Sequence, residues 1–136
     1  MKVILSILLL MPMVLFSQHG LTEAKVETSK EKVYEEVDTE ATFPGGASEM
    51  MRYIGNSVKY PEISMENGEQ GKVFVQFVVN TNGTLSDIKV LRGVSKEIDN
   101  EAVRIVKNMP KWTPADVDGE KVRSYATLPI NFVLSE

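Results

Sequence analysis

The sequence contains no cysteine and a single histidine, His19. Without thiols there is no disulfide framework, no thiolate zinc site, no thioredoxin-type redox pair and no cysteine nucleophile. One histidine near the N-terminus also removes Ser-His-Asp triads and multi-histidine metal centres. Basic runs are missing too: no block of Lys or Arg exceeds two residues, and 15 basic against 19 acidic residues leave a net charge of −4. A nucleic-acid backbone therefore finds no electrostatic footprint. Acid pairs such as Asp116 and Asp118 fall in a turn with no base or nucleophile beside them. The expectation is a protein that is not an enzyme and that has no catalytic residue, metal or cofactor. What is present, 43% apolar and 25% charged residues over a length of 136, suits one compact domain.

Lys2 is followed by an apolar run from Val3 to Phe16, broken only by Ser6 and Pro12 and turning polar at Ser17. A membrane-spanning helix needs roughly 20 apolar residues, so this run reads as a signal peptide over residues 1–17, with a short uncleaved anchor as the alternative. Residues 18–42 read as a charged tether, too poor in apolar side chains to order alone. Within it, alternation of β-branched and charged residues from Val33 to Thr39 permits a short additional strand.

Phe43-Pro44-Gly45-Gly46 is turn chemistry, and Ala47, Met50, Met51, Ile54 and Val58 then recur at helical spacing. That predicts a helix from Ala47 to Ser57, with Tyr60-Pro61 beyond its end. Lys72 to Val79 is apolar on both faces, as a central strand requires. Asn80-Thr81-Asn82-Gly83 supplies a hairpin turn into a strand over Leu85–Arg92. Asn82-Gly83-Thr84 also matches a glycosylation sequon, which the turn explains without modification. Ser95 is placed to cap a second helix whose buried stripe is Ile98, Ala102, Ile105, Val106 and Met109, stopped by Pro110. After a turn at Asp116–Glu120, a final strand from Lys121 to Leu134 alternates cleanly. Pro129 cannot donate to a ladder, so this strand is predicted at a sheet edge. A long edge strand is an aggregation hazard unless it is covered or exists to be paired.

Several of these features recur together in order and spacing: Tyr60-Pro61, Gly71-Lys72-Val73-Phe74-Val75-Gln76-Phe77-Val78-Val79, Asn82-Gly83, Ile88, Val90, Glu101-Ala102-Val103, Trp112, Pro114, Gly119 and Pro129-Ile130-Asn131-Phe132. With them, residues 43–134 resemble the C-terminal domain of TonB, the periplasmic energy transducer of Gram-negative bacteria. Phe43-Pro44-Gly45-Gly46, with Val33-Tyr34 and Val37 ahead of it, resembles the form of the domain found in Bacteroidota. The resemblance implies an α+β fold over residues 43–136. Three antiparallel strands pack against two helices in the order helix-strand-strand-helix-strand, with Val33–Thr39 as a further N-terminal strand.

The resemblance further implies binding of the TonB box, a short extended segment of outer-membrane TonB-dependent transporters, added as a strand at the last edge. The pairing strand would run from Arg123 to Asn131, presenting Arg123, Tyr125, Thr127 and Asn131 to the partner. Tyr60, Trp112 and Ser57 fall on further positions of family contact, although Tyr60 and Trp112 also serve to fix loop entry. Phe77 and Phe132 belong to core faces. Two functions are compatible with this. In the first, the N-terminus stays in the inner membrane, contacts the ExbB and ExbD motor proteins and supports energy-dependent transport. In the second, a soluble periplasmic module holds an extended peptide without transmitting force. Exchange of the last strand between two copies would give a homodimer.

Overall fold

The computed structural model describes residues 31–135, so the expected signal segment, His19 and the first part of the tether lie outside the described residues. In chain order the elements are β1 (Val33–Tyr34), α1 (Ala47–Ser57), α2 (Glu62–Glu66), β2 (Gly71–Val79), β3 (Leu85–Arg92), α3 (Lys96–Lys107), β4 (Ala115–Val117) and β5 (Glu120–Phe132). Among the described residues no helix is long and apolar enough to cross a membrane.

The sheet is built outward from β2, which pairs antiparallel with both β3 and β5. Its alternation sends Val73, Val75, Phe77 and Val79 to one face, where all four are buried. Leu128, Ile130 and Phe132 of β5 join them, and α3 closes the layer with Ile98, Ala102, Ile105 and Val106. Trp112 is locked between two rings, Phe77 at 5.3 Å and Phe43 at 6.0 Å between centroids, both edge-on. It is only 8% exposed. Its backbone N–H donates to the Gly83 carbonyl at 2.9 Å. Gly83 has φ +89°, and a Cβ there would collide with the Trp112 carbonyl oxygen, so hairpin tip and core ring are joined only because this residue is glycine.

Helix boundaries are set by local chemistry. Ser95 Oγ accepts the Ile98 N–H at 3.3 Å and caps the start of α3, and Asp99 Oδ1 accepts the Val94 N–H at 2.8 Å, tying the entering chain to the first turn. Glu97 and Asp99 lie in its first turn, Arg104 and Lys107 in its last, matching the helix dipole. In α1 the face against the core is Met50, Tyr53 and Ile54, and Met51 is 65% exposed. Met51 follows Met50 by about 100° of helical rotation, which carries it off the face.

Three features differ from the sequence expectation. The expected strand over Val33–Thr39 is confined to Val33–Tyr34, and it lies parallel to β5, Val33 opposite Arg123 and Tyr34 opposite Ser124. The segment read as a plain turn is a hairpin, β4 against β5, closed by Asp118 and Gly119 at φ 54° and 82°. Positive φ at both central residues is the type I′ geometry that suits the twist of a hairpin. One short extra helix, α2, comes after Pro61. The main sheet order is therefore β1-β5-β2-β3, with β4 paired to β5 off that path.

Candidate functional site

The sheet has two long flanking strands, and their chemistry is opposite. β3 carries Asp87, Lys89 and Arg92, and its register against β2 shifts twice, between Phe74 and Val75 and between Gln76 and Val78. Asp87 at φ 52° and Leu91, 51% exposed, sit at these irregularities. Bulges and charges make a poor template for another strand. β5 pairs with β2 from Ser124 to Phe132 with no shift, and Tyr125 to Phe132 contains no charged residue. Beyond the two β1 pairs at Arg123 and Ser124, the outer side of Tyr125–Phe132 has no strand beside it among the described residues.

The direction of the open backbone groups is fixed by Pro129. In an antiparallel ladder each residue either exchanges both hydrogen bonds with its opposite residue or turns both groups the other way. Pro129, opposite Phe74 in an unshifted ladder, has no N–H to give. Its pair is therefore of the second type, and alternation carries Tyr125, Thr127 and Asn131 with it. The N–H groups of Tyr125, Thr127 and Asn131 and the carbonyls of those three and Pro129 point outward. Ala126, Leu128 and Ile130 spend theirs on β2. The side chains of the outward set lie on the face away from the helices, where Tyr125 is 39% exposed and Thr127, Pro129 and Asn131 are exposed.

Of the residues singled out from sequence, Tyr125, Thr127 and Asn131 thus share one strip, and the other four lie elsewhere. Arg123 faces β1, and its Nε donates to Asn80 Oδ1 at 2.9 Å. Trp112 is in the core, between Phe77 and Phe43. Tyr60 stacks edge-on against Phe132 at 5.8 Å, and its hydroxyl donates to the Glu69 carbonyl. Burial, and secondarily the Glu69 charge, push the Tyr60 hydroxyl above its ordinary pKa, so it stays protonated as that donor. Tyr60 therefore props the end of β5 from the helix side. Ser57 ends α1, and its carbonyl accepts from Arg104 Nη2 at 2.7 Å.

Sequence reasoning missed the cluster that holds Ser57. Glu101 receives Arg104 through Nε and Nη2 at 2.8 and 2.7 Å and also the Lys59 backbone N–H at 2.7 Å. Partial burial raises the Glu101 pKa, but the hydrogen bonds and charges of Arg104 and Lys59 outweigh it, and the carboxyl is held below its ordinary value. A groove of about 370 Å³ lined by Lys59, Pro61, Glu97, Asn100, Glu101 and Arg104 lies there, and it includes no residue of β5. The three-residue spacing of Glu101 and Arg104 was visible in the sequence, whereas their reach to residues more than forty positions away was not.

Residues 56–134 match the family model for the Gram-negative bacterial TonB protein C-terminal, more than half of the chain. The chain is 30% identical to Protein TonB of Helicobacter pylori over 69 residues, covering 48% of this chain and 25% of that protein. It is 27% identical to Protein TonB of Xanthomonas campestris pv. campestris over 81 residues, 59% of this chain and 36% of that one. It therefore spans about a quarter to a third of the length of these relatives. Among solved structures, the solution structure of the Helicobacter pylori TonB C-terminal domain superposes with a TM-score of 0.50 at 24% identity, covering 68% of this chain and 88% of that one, a shared fold. The family match begins in the last turn of α1 and leaves β1 outside.

Proposed function

Because the chain belongs to the family of Gram-negative bacterial TonB protein C-terminal domains, we propose that it is a strand acceptor. It binds a short extended segment of an outer-membrane TonB-dependent transporter along the outer edge of β5 and so supports energy-dependent transport. The observation that carries this reading is the regular, uncharged edge from Tyr125 to Phe132, with no strand beside it among the described residues past β1, set against a β3 edge blunted twice over. Natural sheets disarm their exposed edges. One edge left armed while the other is disarmed fits a docking role.

The chemistry is main-chain recognition. The outward groups of Tyr125, Thr127, Pro129 and Asn131 give a partner two donors, the N–H groups of Thr127 and Asn131, and four acceptors, the Tyr125 N–H being turned to the Tyr34 carbonyl of β1; each bond contributes about 0.5–1.5 kcal/mol net. That is roughly 3–10 kcal/mol before the partner segment is ordered, which corresponds to micromolar or weaker binding. Tyr125, Thr127 and Asn131 then select alternate side chains on the exposed face. Such a grip forms and releases readily, as intermittent transport requires. The test is Thr127→Pro, which removes one outward N–H and leaves the bonds to β2. Isothermal titration with transporter N-terminal peptides should show a loss of about two- to tenfold with a Tm within a few degrees of the unaltered chain. Unchanged affinity would refute the edge as the binding site.

Residues 1–17 are proposed as the export signal that places this domain in the periplasm. Intact mass and fractionation from a Gram-negative host test it. A chain beginning at Gln18 in the soluble fraction is the expected result, and a full-length, membrane-bound chain would instead favour direct contact with ExbB and ExbD.

A further inference from the structure

The start of the docking edge is closed by the chain itself. Val33 and Tyr34 lie beside Arg123 and Ser124 on β5, parallel to it, and the backbone bends away at Glu35. Residues 38–42 are tied elsewhere. The N–H groups of Asp38 and Thr39 donate to the Asp116 carbonyl at 3.0 and 3.2 Å, and the Asp116 N–H returns to the Thr39 carbonyl at 3.0 Å. Thr42 and Thr113 exchange a second pair at 3.0 and 2.8 Å, and Asp38 Oδ2 accepts the Asp118 N–H at 2.7 Å. For β1 to extend past Tyr34 along Tyr125 and Ala126, the bends at Glu35 and Glu36 would have to straighten against a continuation held at Asp38, Thr39 and Thr42. A strand that can neither lengthen nor slide is a fixed obstacle.

We propose that β1 is a register stop, a specificity element that confines an incoming strand to the window from Tyr125 to Phe132. The inference rests on the strand-acceptor reading, and it concerns a segment that the family match does not include. Backbone pairing alone does not specify register, because identical amides repeat along the edge. A stop at one end supplies it. The partner segment can pair over eight residues and no more, since the outward groups of Arg123 and the Tyr125 N–H are already taken at one end and β5 ends at Phe132 at the other. A longer segment must leave the sheet plane beside Tyr34. The stop thereby selects a segment whose eight pairing residues adjoin a turn or a flexible stretch at the Tyr125 end over one that continues there as a strand.

The test uses the full chain and capped, alternating Thr-Val peptides of six, eight, ten and twelve residues, with Kd measured by fluorescence anisotropy. In the unaltered chain affinity should rise from six to eight residues and then level off. Val33→Pro/Tyr34→Pro removes the Tyr34 N–H that faces the Arg123 carbonyl and frees the edge at Arg123 and at the Tyr125 N–H. In this variant the gain should continue to ten residues, by about fivefold for the two added bonds. A gain beyond eight residues in the unaltered chain overturns the inference even if the variant does not fold. An identical plateau in a folded variant overturns it as well. Absence of binding at every length overturns the strand-acceptor reading and this inference together.

Discussion

The two flanking strands of this sheet, β3 and β5, have the same neighbour and opposite characters. Both pair with β2, and both alternate between core and solvent. β3 takes two extra residues into its ladder, carries three charges and is backed by α3, whereas β5 runs unshifted and uncharged from Tyr125 to Phe132. Burial alone would not produce this difference, since a bulged β5 could still bury Leu128, Ile130 and Phe132. The contrast teaches that regularity at an edge is a property separable from core packing, and that here it is kept on one side only.

The sharpest way to break the comparison is to exchange proline between neighbouring positions of β5. Leu128→Pro removes an N–H that faces β2 and should destabilise the fold by about 3 kcal/mol or more, seen as loss of cooperative unfolding. Thr127→Pro, one residue away, should leave the Tm within a few degrees and weaken peptide binding by about two- to tenfold. Equal damage to stability from both would contradict the alternation assigned through Pro129. Next in size, deleting Leu91 removes one bulge from β3 and makes that edge more like β5. Sedimentation velocity should then show concentration-dependent self-association stronger than that of the unaltered chain at the same concentration.

The helix side should carry the pH dependence that the β5 edge does not. The Glu101 carboxyl has its pKa lowered in the folded state, so its stabilisation is present above the unfolded value of about 4.3 and is lost as pH falls through the folded value. Thermal melts should show the Tm falling below about pH 4, and Glu101→Gln should reduce that dependence while lowering the Tm at pH 7 by a few degrees. Peptide affinity between pH 5 and 8 should be the same in both proteins. The smallest effect concerns Glu35 and Glu36, exposed where β1 leaves the sheet. A peptide with Lys at the end beside Tyr125 should bind about twofold tighter than one with Glu there, with the preference lost in 0.5 M salt.

Much of this was legible in the sequence, for local reasons. The period of Met50 and Ile54, the alternation across Val73–Val79, and the breakers at Asn82-Gly83 and Pro110 delimit elements that the structure places within a residue or two. Pro129 alone argued for an edge, and the structure adds which groups it turns outward. The parallel pairing of Val33–Tyr34 was not legible, because two residues ninety positions from their partners leave no periodic trace. It removes Arg123 from the open strip. The core position of Trp112 was equally hidden, since an aromatic before a proline reads alike whether it packs inward or waits for a partner. Met51 was misplaced because its apolar character outweighed its phase.

Backbone amide exchange tests the central claim most directly, residue by residue along β5. In the free protein the amides of Thr127 and Asn131 should exchange rapidly, while those of Ala126, Leu128 and Ile130 are protected by β2 and that of Tyr125 by β1. Saturation with a bound peptide should protect the first set by at least tenfold and leave the second unchanged. Binding that left Thr127 and Asn131 in rapid exchange would contradict strand addition at this edge.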